Sequence, residues 1–223
     1  MQHFILTRFN LLLWNRDKER QPVRTFAWLE HRFTIFEHYC LPSIVNQTIK
    51  NFEWIVLFDS NTPDQFKDKI KEFQQRCPQL TPVFVEPKNG RFFAEIFRRE
   101  VVKRLTAERV ITTYLDNDDA LDVKFVEDIQ KRVAGFSDGT FIYYSHGYQL
   151  FTDKNYALRV YYPRNHFVSV VECVALSSVK TIYGYGSHYY IDKIEGAKIE
   201  YVLDQPMWCE VIHERKRNQG TVL

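Results

Sequence analysis

The sequence predicts an α/β fold, a Rossmann-like mixed sheet with flanking helices. Three observations carry that expectation. Apolar runs of strand length alternate with segments whose apolar residues recur at helical spacing. The alternation persists through the first half, and strands separated by helices lie parallel with crossover connections. After Gly139 the helical spacing fades and β-like runs follow one another, which predicts antiparallel strands added to the same sheet.

Phe4-Ile5-Leu6-Thr7 reads as the first strand, followed by a polar stretch with Pro22. Phe33, Phe36, Cys40, Leu41, Ile44 and Val45 then repeat at helical spacing, and Pro42 among them predicts a kink or break. Phe52 to Phe58 is a continuous apolar-rich strand ending in the turn residues Asp59-Ser60-Asn61-Thr62-Pro63. Phe66, Ile70 and Phe73 mark a second helix, and Val83-Phe84-Val85 a third strand. Phe93, Ile96, Phe97, Val101 and Leu105 mark a third helix. The strand Arg109 to Leu115 runs straight into Asp116-Asn117-Asp118-Asp119, and Val126, Ile129 and Val133 mark a fourth helix. Beyond Gly139, residues Phe141–Phe151, Tyr156–Tyr162 and Phe167–Leu176 read as strands.

With 223 residues the chain has room for one well-buried domain. A natural division is residues 1–122 for a nucleotide and 123–223 for a second substrate. The net charge of +2, with Lys and Arg spread along the chain, excludes a dedicated nucleic-acid binder but not a small anion. Cys40, Cys77, Cys173 and Cys209 form no CxxC and fit no zinc or disulfide framework, so they read as thiols in a reducing compartment. No stretch approaches the ~18 apolar residues of a membrane span. Met1 to Trp14 lacks a basic leader and a small-residue cleavage site. A cytoplasmic location is expected, with peripheral membrane association left open. Thirteen Tyr and eighteen Phe predict a ring-rich core.

Ligands of open α/β sheets bind beyond the carboxyl ends of strands, near a topological switch point. Asp59 and the run Asp116–Asp119 both follow strands and should share that edge. Asp116 and Asp118 are two apart, so in extended backbone their carboxylates face one side and offer hard oxygens to Mg²⁺ or Mn²⁺. An alternative is that the run caps the helix that follows, since Asp is favoured there.

Asn46-Gln47-Thr48, Asn51-Phe52-Glu53, Asp59-Ser60 and Thr62, with Asp64 one place later than usual, resemble the second-strand region of family 2-type GT-A glycosyltransferases. Tyr114-Leu115-Asp116-Asn117-Asp118-Asp119-Ala120-Leu121 is similar to their "LDxDD" signature. Pro206-Met207-Trp208 and Val211-Ile212-His213 resemble the end of a bacterial rhamnosyltransferase subset. The resemblance implies a single GT-A domain over residues 1–223. It implies that Thr7, Arg8 and Phe9 grip the nucleoside, although many relatives carry Pro and a small residue where this chain has Arg and Phe. Asp59 would hydrogen-bond the base, and Arg91 and Arg98 would lie near the donor. Asp116, with Asn117 beside it, would touch the ribose or the metal. Asp118 would be the main metal ligand, and His213 the distal one. The tail Arg215-Lys216-Arg217 would cover the diphosphate.

An inverting transfer needs a base for the acceptor hydroxyl. Glu172, His188, Asp192 and Glu210 are candidates in the second half. Glu172 is the first choice, because a carboxylate in an apolar stretch is either paired or functional. His188, in a glycine-bounded loop, is the second. The expected reaction moves a sugar from a nucleotide-diphosphate donor, by the resemblance deoxythymidine-linked rhamnose, to a hydroxyl of a glycan or glycolipid acceptor. The rivals are a metal-dependent phosphohydrolase or nucleotidyltransferase, and a non-catalytic nucleotide-sugar-binding domain of the same fold.

Overall fold

The computed structural model describes residues 1–13, 25–174 and 179–213. Two sheets organise them. The larger has seven strands in the order β10-β6-β9-β4-β1-β2-β3: β1 (Gln2–Arg8), β2 (Glu53–Asp59), β3 (Leu80–Val85), β4 (Arg109–Tyr114), β6 (Thr140–Tyr144), β9 (Ser169–Cys173) and β10 (Lys198–Val202). The smaller has four in the order β5-β11-β7-β8: β5 (Ala120–Leu121), β7 (His146–Phe151), β8 (Tyr156–Tyr161) and β11 (Trp208–Ile212).

Strands β1 to β4 are parallel, with β1 between β2 and β4. Their crossovers carry α1 (Phe26–Ile35), α2 (Leu41–Val45), α3 (Asp64–Arg76) and α4 (Phe93–Arg104). Strand order reverses at β1, so a crevice opens beyond the carboxyl ends of β1 and β4. Register pairs Arg8 with Leu57 and Leu6 with Tyr114, which brings Asp59 and Asp116–Asp119 to that one edge, as expected.

Successive residues of these strands feed opposite cores. Ile5, Trp54, Val56 and Phe58 join Phe33, Phe36 and Phe73 on one face. Phe4, Leu6, Ile55 and Leu57 join Phe97, Val101 and Tyr183 on the other. Burial on both faces explains why Phe52–Phe58 reads as unbroken apolar sequence. The expected ring-rich core is there: Phe36 stacks on Trp54 at 5.2 Å and Phe97 on Tyr183 at 4.8 Å.

Two expectations need correction. Pro42 does not break its helix. A π turn over Phe36–Cys40 links α1 to α2, with the Leu41 N–H reaching back to the Phe36 carbonyl, and this widened turn just before Pro42 interrupts the regular helix without ending it. The second half also does not stay in one sheet. Its β9 pairs antiparallel with β4 and β6, and β10 lies parallel to β6, but Phe141–Phe151 divides at Ser145. The Ser145 N–H bonds Val202, β6 stays in the large sheet, and β7 turns into the small one. Gly147 permits that turn, since a Cβ there would lie 2.1 Å from the Trp208 ring. A short helix, α5 (Phe125–Arg132), connects β5 to β6. Among the described residues no helix is long and apolar enough to cross a membrane.

Candidate active site

Beyond β4 the chain makes a tight turn, with the Asp119 N–H reaching the Asp116 carbonyl at 3.4 Å. Asp116 and Asp118 would share a side only in extended backbone. In the turn their partners differ. Asp116 accepts from the Tyr114 hydroxyl at 3.0 Å and lies 3.7 Å from Arg8. Asp118 Oδ2 lies 3.0 Å from Arg32 and 3.2 Å from His213 Nε2. The capping alternative also falls: the cap of α5 is Lys124, with no side-chain hydrogen bond, and the Lys124 N–H instead reaches Asp122.

The other two residues of the run hold the turn in place. Asn117 donates to the carbonyls of Arg8 and Phe9 at 2.8 and 2.9 Å, fastening the run to the end of β1. Asp119 is fully buried; it accepts from the Val211 N–H at 2.9 Å and contacts His166 Nε2 at 2.7 Å. Its grip on Val211 draws β11 against the run and so delivers His213, two residues later, to Asp118.

Arg8 occupies an aromatic cage. Its guanidinium carbon lies 4.7, 5.2 and 5.6 Å from the rings of Phe93, Tyr183 and Tyr114, and it donates to the Tyr114 hydroxyl at 2.7 Å. Burial opposes its charge, but Tyr183, Tyr114 and Asp116 outweigh burial and hold the guanidinium above its usual pKa. His188 faces the same cleft, with its ring 6.4 Å from Tyr114 and 5.9 Å from His166. Burial, then His166 and Arg8, push this imidazole down to about 4, so it is neutral near pH 7.

Other expected site residues are placed differently. Thr7 is buried and accepts from the Trp54 indole at 2.9 Å. Phe9 sits in the core against Phe33, Phe36 and Phe58, so its ring is closed to a nucleoside. Asp59 is fully buried and accepts from the Asn61 N–H at 2.8 Å, a turn-forming role. Arg98 pairs with Glu95 on the surface of α4, and Arg91 lies over the Phe92 ring. Neither contacts the acidic run. The tail Arg215-Lys216-Arg217 lies outside the described residues.

Glu172 is not brought to the cleft, which corrects its choice as base. It pairs with Val110 at the start of β4, six residues before Asp116. At roughly 3.3 Å per strand residue that is about 20 Å away. Its carboxylate accepts from the N–H groups of Lys180 and Thr181 at 2.7 and 2.9 Å and from the Tyr185 hydroxyl at 3.2 Å. Thr181 has φ 65°, a conformation costly for a β-branched residue, and Glu172 fastens that turn. Burial raises the Glu172 pKa, as expected, although the group serves the backbone.

Two donor sets can hold a metal ion. Asp116, Asp119 and His166 offer atoms all within 4.8 Å of one another. Asp118 Oδ2 and His213 Nε2 lie 3.2 Å apart. An octahedral ion with bonds of ~2.1 Å holds neighbouring donors roughly 3.0 Å apart, so this pair fits one edge of such a shell. Carboxylate with imidazole suits Mn²⁺ at least as well as Mg²⁺.

Arg32 and His166 were missed from the sequence. Arg32 had a readable signal. Leu29, Phe33 and Phe36 form a buried helical stripe, and Arg32, three residues after Leu29, stands where an apolar residue belongs. His166 carries no such signal.

Comparison with solved structures identifies the fold. S. aureus TarS matches 95% of this chain with a TM-score of 0.51 at 14% identity, over 37% of the TarS chain. TarS 1–349 in complex with UDP matches 95% at 0.51 and 12% identity, over 61% of its length. TarS 1–349 matches 95% at 0.50 and 13% identity, over 60%. The fold is that of a GT-A-like glycosyltransferase, and the chain spans 37–61% of the length of these structures. The family described as "Putative rhamnosyl transferase" matches residues 2–220, and the chain belongs to it. No curated protein sequence matches the chain.

Proposed function

We propose that this enzyme moves a sugar, rhamnose by its family, from a nucleoside diphosphate to a hydroxyl of a glycan or glycolipid acceptor, with inversion. One observation carries the reading: His213 returns from the far end of the chain to within 3.2 Å of Asp118, at the sheet edge where such folds bind nucleotides. The similar TarS 1–349 was solved in complex with UDP, which makes UDP a natural first probe beside dTDP.

Asp118 and His213 would hold a divalent cation, Mn²⁺ or Mg²⁺, with Asp116 facing the ribose or completing the shell. When bound, that ion supplies Lewis-acid neutralisation of charge on the leaving diphosphate. Arg8, kept charged and oriented by its cage, adds a fixed positive group beside Asp116. The caged rings and Leu115, which is fully buried, keep water from the cleft floor. His188 replaces Glu172 as the base in this reading. Its neutral imidazole takes the proton of the acceptor hydroxyl as that oxygen bonds to the anomeric carbon. The bond from that carbon to the diphosphate oxygen breaks, and the electron pair leaves with the diphosphate.

A thermal-shift series tests the cation. UDP or dTDP should raise the melting temperature much more with Mn²⁺ than with EDTA, and Asp118→Asn should lose the difference and the transfer while staying folded. Equal shifts with Mn²⁺ and EDTA would remove the ion from the mechanism.

A further inference from the structure

We propose that Arg32 is a built-in occupant of the cation position, and that Arg32 and a divalent cation exclude one another at the Asp118–His213 pair. The proposal rests on the reading of that pair as cation ligands. The Arg32 guanidinium nitrogen lies 3.0 Å from Asp118 Oδ2 and 3.4 Å from His213 Nε2, and those two atoms are 3.2 Å apart. The three atoms form a nearly equilateral triangle. A carboxylate lone pair and an imidazole nitrogen thus converge on one positive nitrogen, as they would on a metal ion.

Charge explains why the position is filled. Asp118 is 6% exposed, and a carboxylate so placed needs a positive partner. Arg32 supplies one, held by the cation-attracting face of Trp28 at 5.6 Å. A divalent ion arriving at the same two lone pairs would meet a guanidinium about 3 Å away, a repulsion that neither cation tolerates at low dielectric. One must leave, and the side chain can.

Its present seat is incomplete. The Arg32 Nε is buried without a partner among the described residues, and so is His213 Nδ1. A guanidinium forked onto a diphosphate satisfies more of its N–H groups than one nitrogen shared between Asp118 and His213 does. Cation entry therefore releases Arg32 toward the donor, and the donor's diphosphate draws Arg32 off the cation site. Cation and nucleoside diphosphate should strengthen each other's binding through this one side chain, by the same factor in both directions.

Isothermal titration with Mn²⁺ alone tests the exclusion on folded wild-type protein, Arg32→Gln, Arg32→Lys and Asp118→Asn. Removing the resident charge should tighten Mn²⁺ binding about tenfold in Arg32→Gln, the worth of one charge-assisted hydrogen bond. Arg32→Lys keeps the charge but is one atom shorter and loses the guanidinium plane over Trp28, so its affinity should fall between the two. Adding UDP should strengthen Mn²⁺ binding less in Arg32→Gln than in wild type. Unchanged or weaker Mn²⁺ binding in either Arg32 variant, with binding lost in Asp118→Asn, overturns the exclusion and leaves the cation reading standing. Undiminished binding in Asp118→Asn removes the cation reading itself. Should Arg32→Gln melt below the assay temperature, the ordering of wild type and Arg32→Lys decides.

Discussion

Asp119→Ala separates the scaffold of the site from its chemistry. Asp119 is fully buried and serves two partners, the Val211 N–H at 2.9 Å and His166 at 2.7 Å. Removing it leaves the buried Val211 N–H without this acceptor, at about 1–3 kcal/mol, and takes one contact from the part-exposed His166, at about 1 kcal/mol, or about 3 kcal/mol together. In a chain of this size each kcal/mol lowers the melting temperature by roughly 2–4 °C, so a fall of roughly 6–12 °C is expected. Relief of repulsion is small, because Asp118 is already paired with Arg32. Asp119→Asn keeps an acceptor for Val211 and should lose about half as much. Differential scanning calorimetry measures both. The Mn²⁺-dependent response to UDP should weaken in parallel, because β11 loses the bond that brings His213 to Asp118. An alanine variant melting within about 2 °C of wild type would refute the anchoring argument.

Two further outcomes concern histidines. His188→Gln should keep UDP binding and lose roughly 10²–10⁴-fold in kcat. In wild type, kcat/KM should stay level from neutral pH down and fall only as pH passes through about 4, the value to which burial, His166 and Arg8 push that imidazole. Unchanged turnover in the variant, or a fall centred near 6.5, would move the base elsewhere. His3 is 2% exposed on β1, bonded to the Thr113 hydroxyl at 2.8 Å, and burial lowers its pKa from 6.5 to about 3. The unfolded chain therefore takes its proton first. This contribution is fully present above 6.5 and drains away as pH falls toward 3, with about 2 kcal/mol gone at pH 5. Urea unfolding at pH 7 and pH 5 should show that difference shrinking in His3→Gln; an equal loss in both proteins would contradict it.

Much of the site's location was readable before the structure, because strand periodicity and topology rules are local. Phe52–Phe58 and Arg109–Tyr114 end at Asp59 and Asp116, and parallel pairing with β1 puts both ends on one edge. The failures share a cause. A carboxylate in an apolar strand looks functional in sequence, but Glu172 serves a strained turn at Thr181 that no spacing rule reveals. Phe9 follows the first strand as a nucleoside contact should, yet three rings of α1, the π turn and β2 enclose it.

The sequence by itself determined the alternation of strands and helices, the acidic run at a strand end, and the family likeness, all properties of neighbours along the chain. Only the tertiary structure decided which acid meets which partner. Asp118 meets Arg32 and His213 across 86 and 95 residues of chain, and Asp119 meets His166 and Val211 across 47 and 92. Contacts at such separations depend on how packed elements align, and a hydrogen bond or an ion's shell responds to shifts of a few tenths of an ångström that no pattern in sequence encodes.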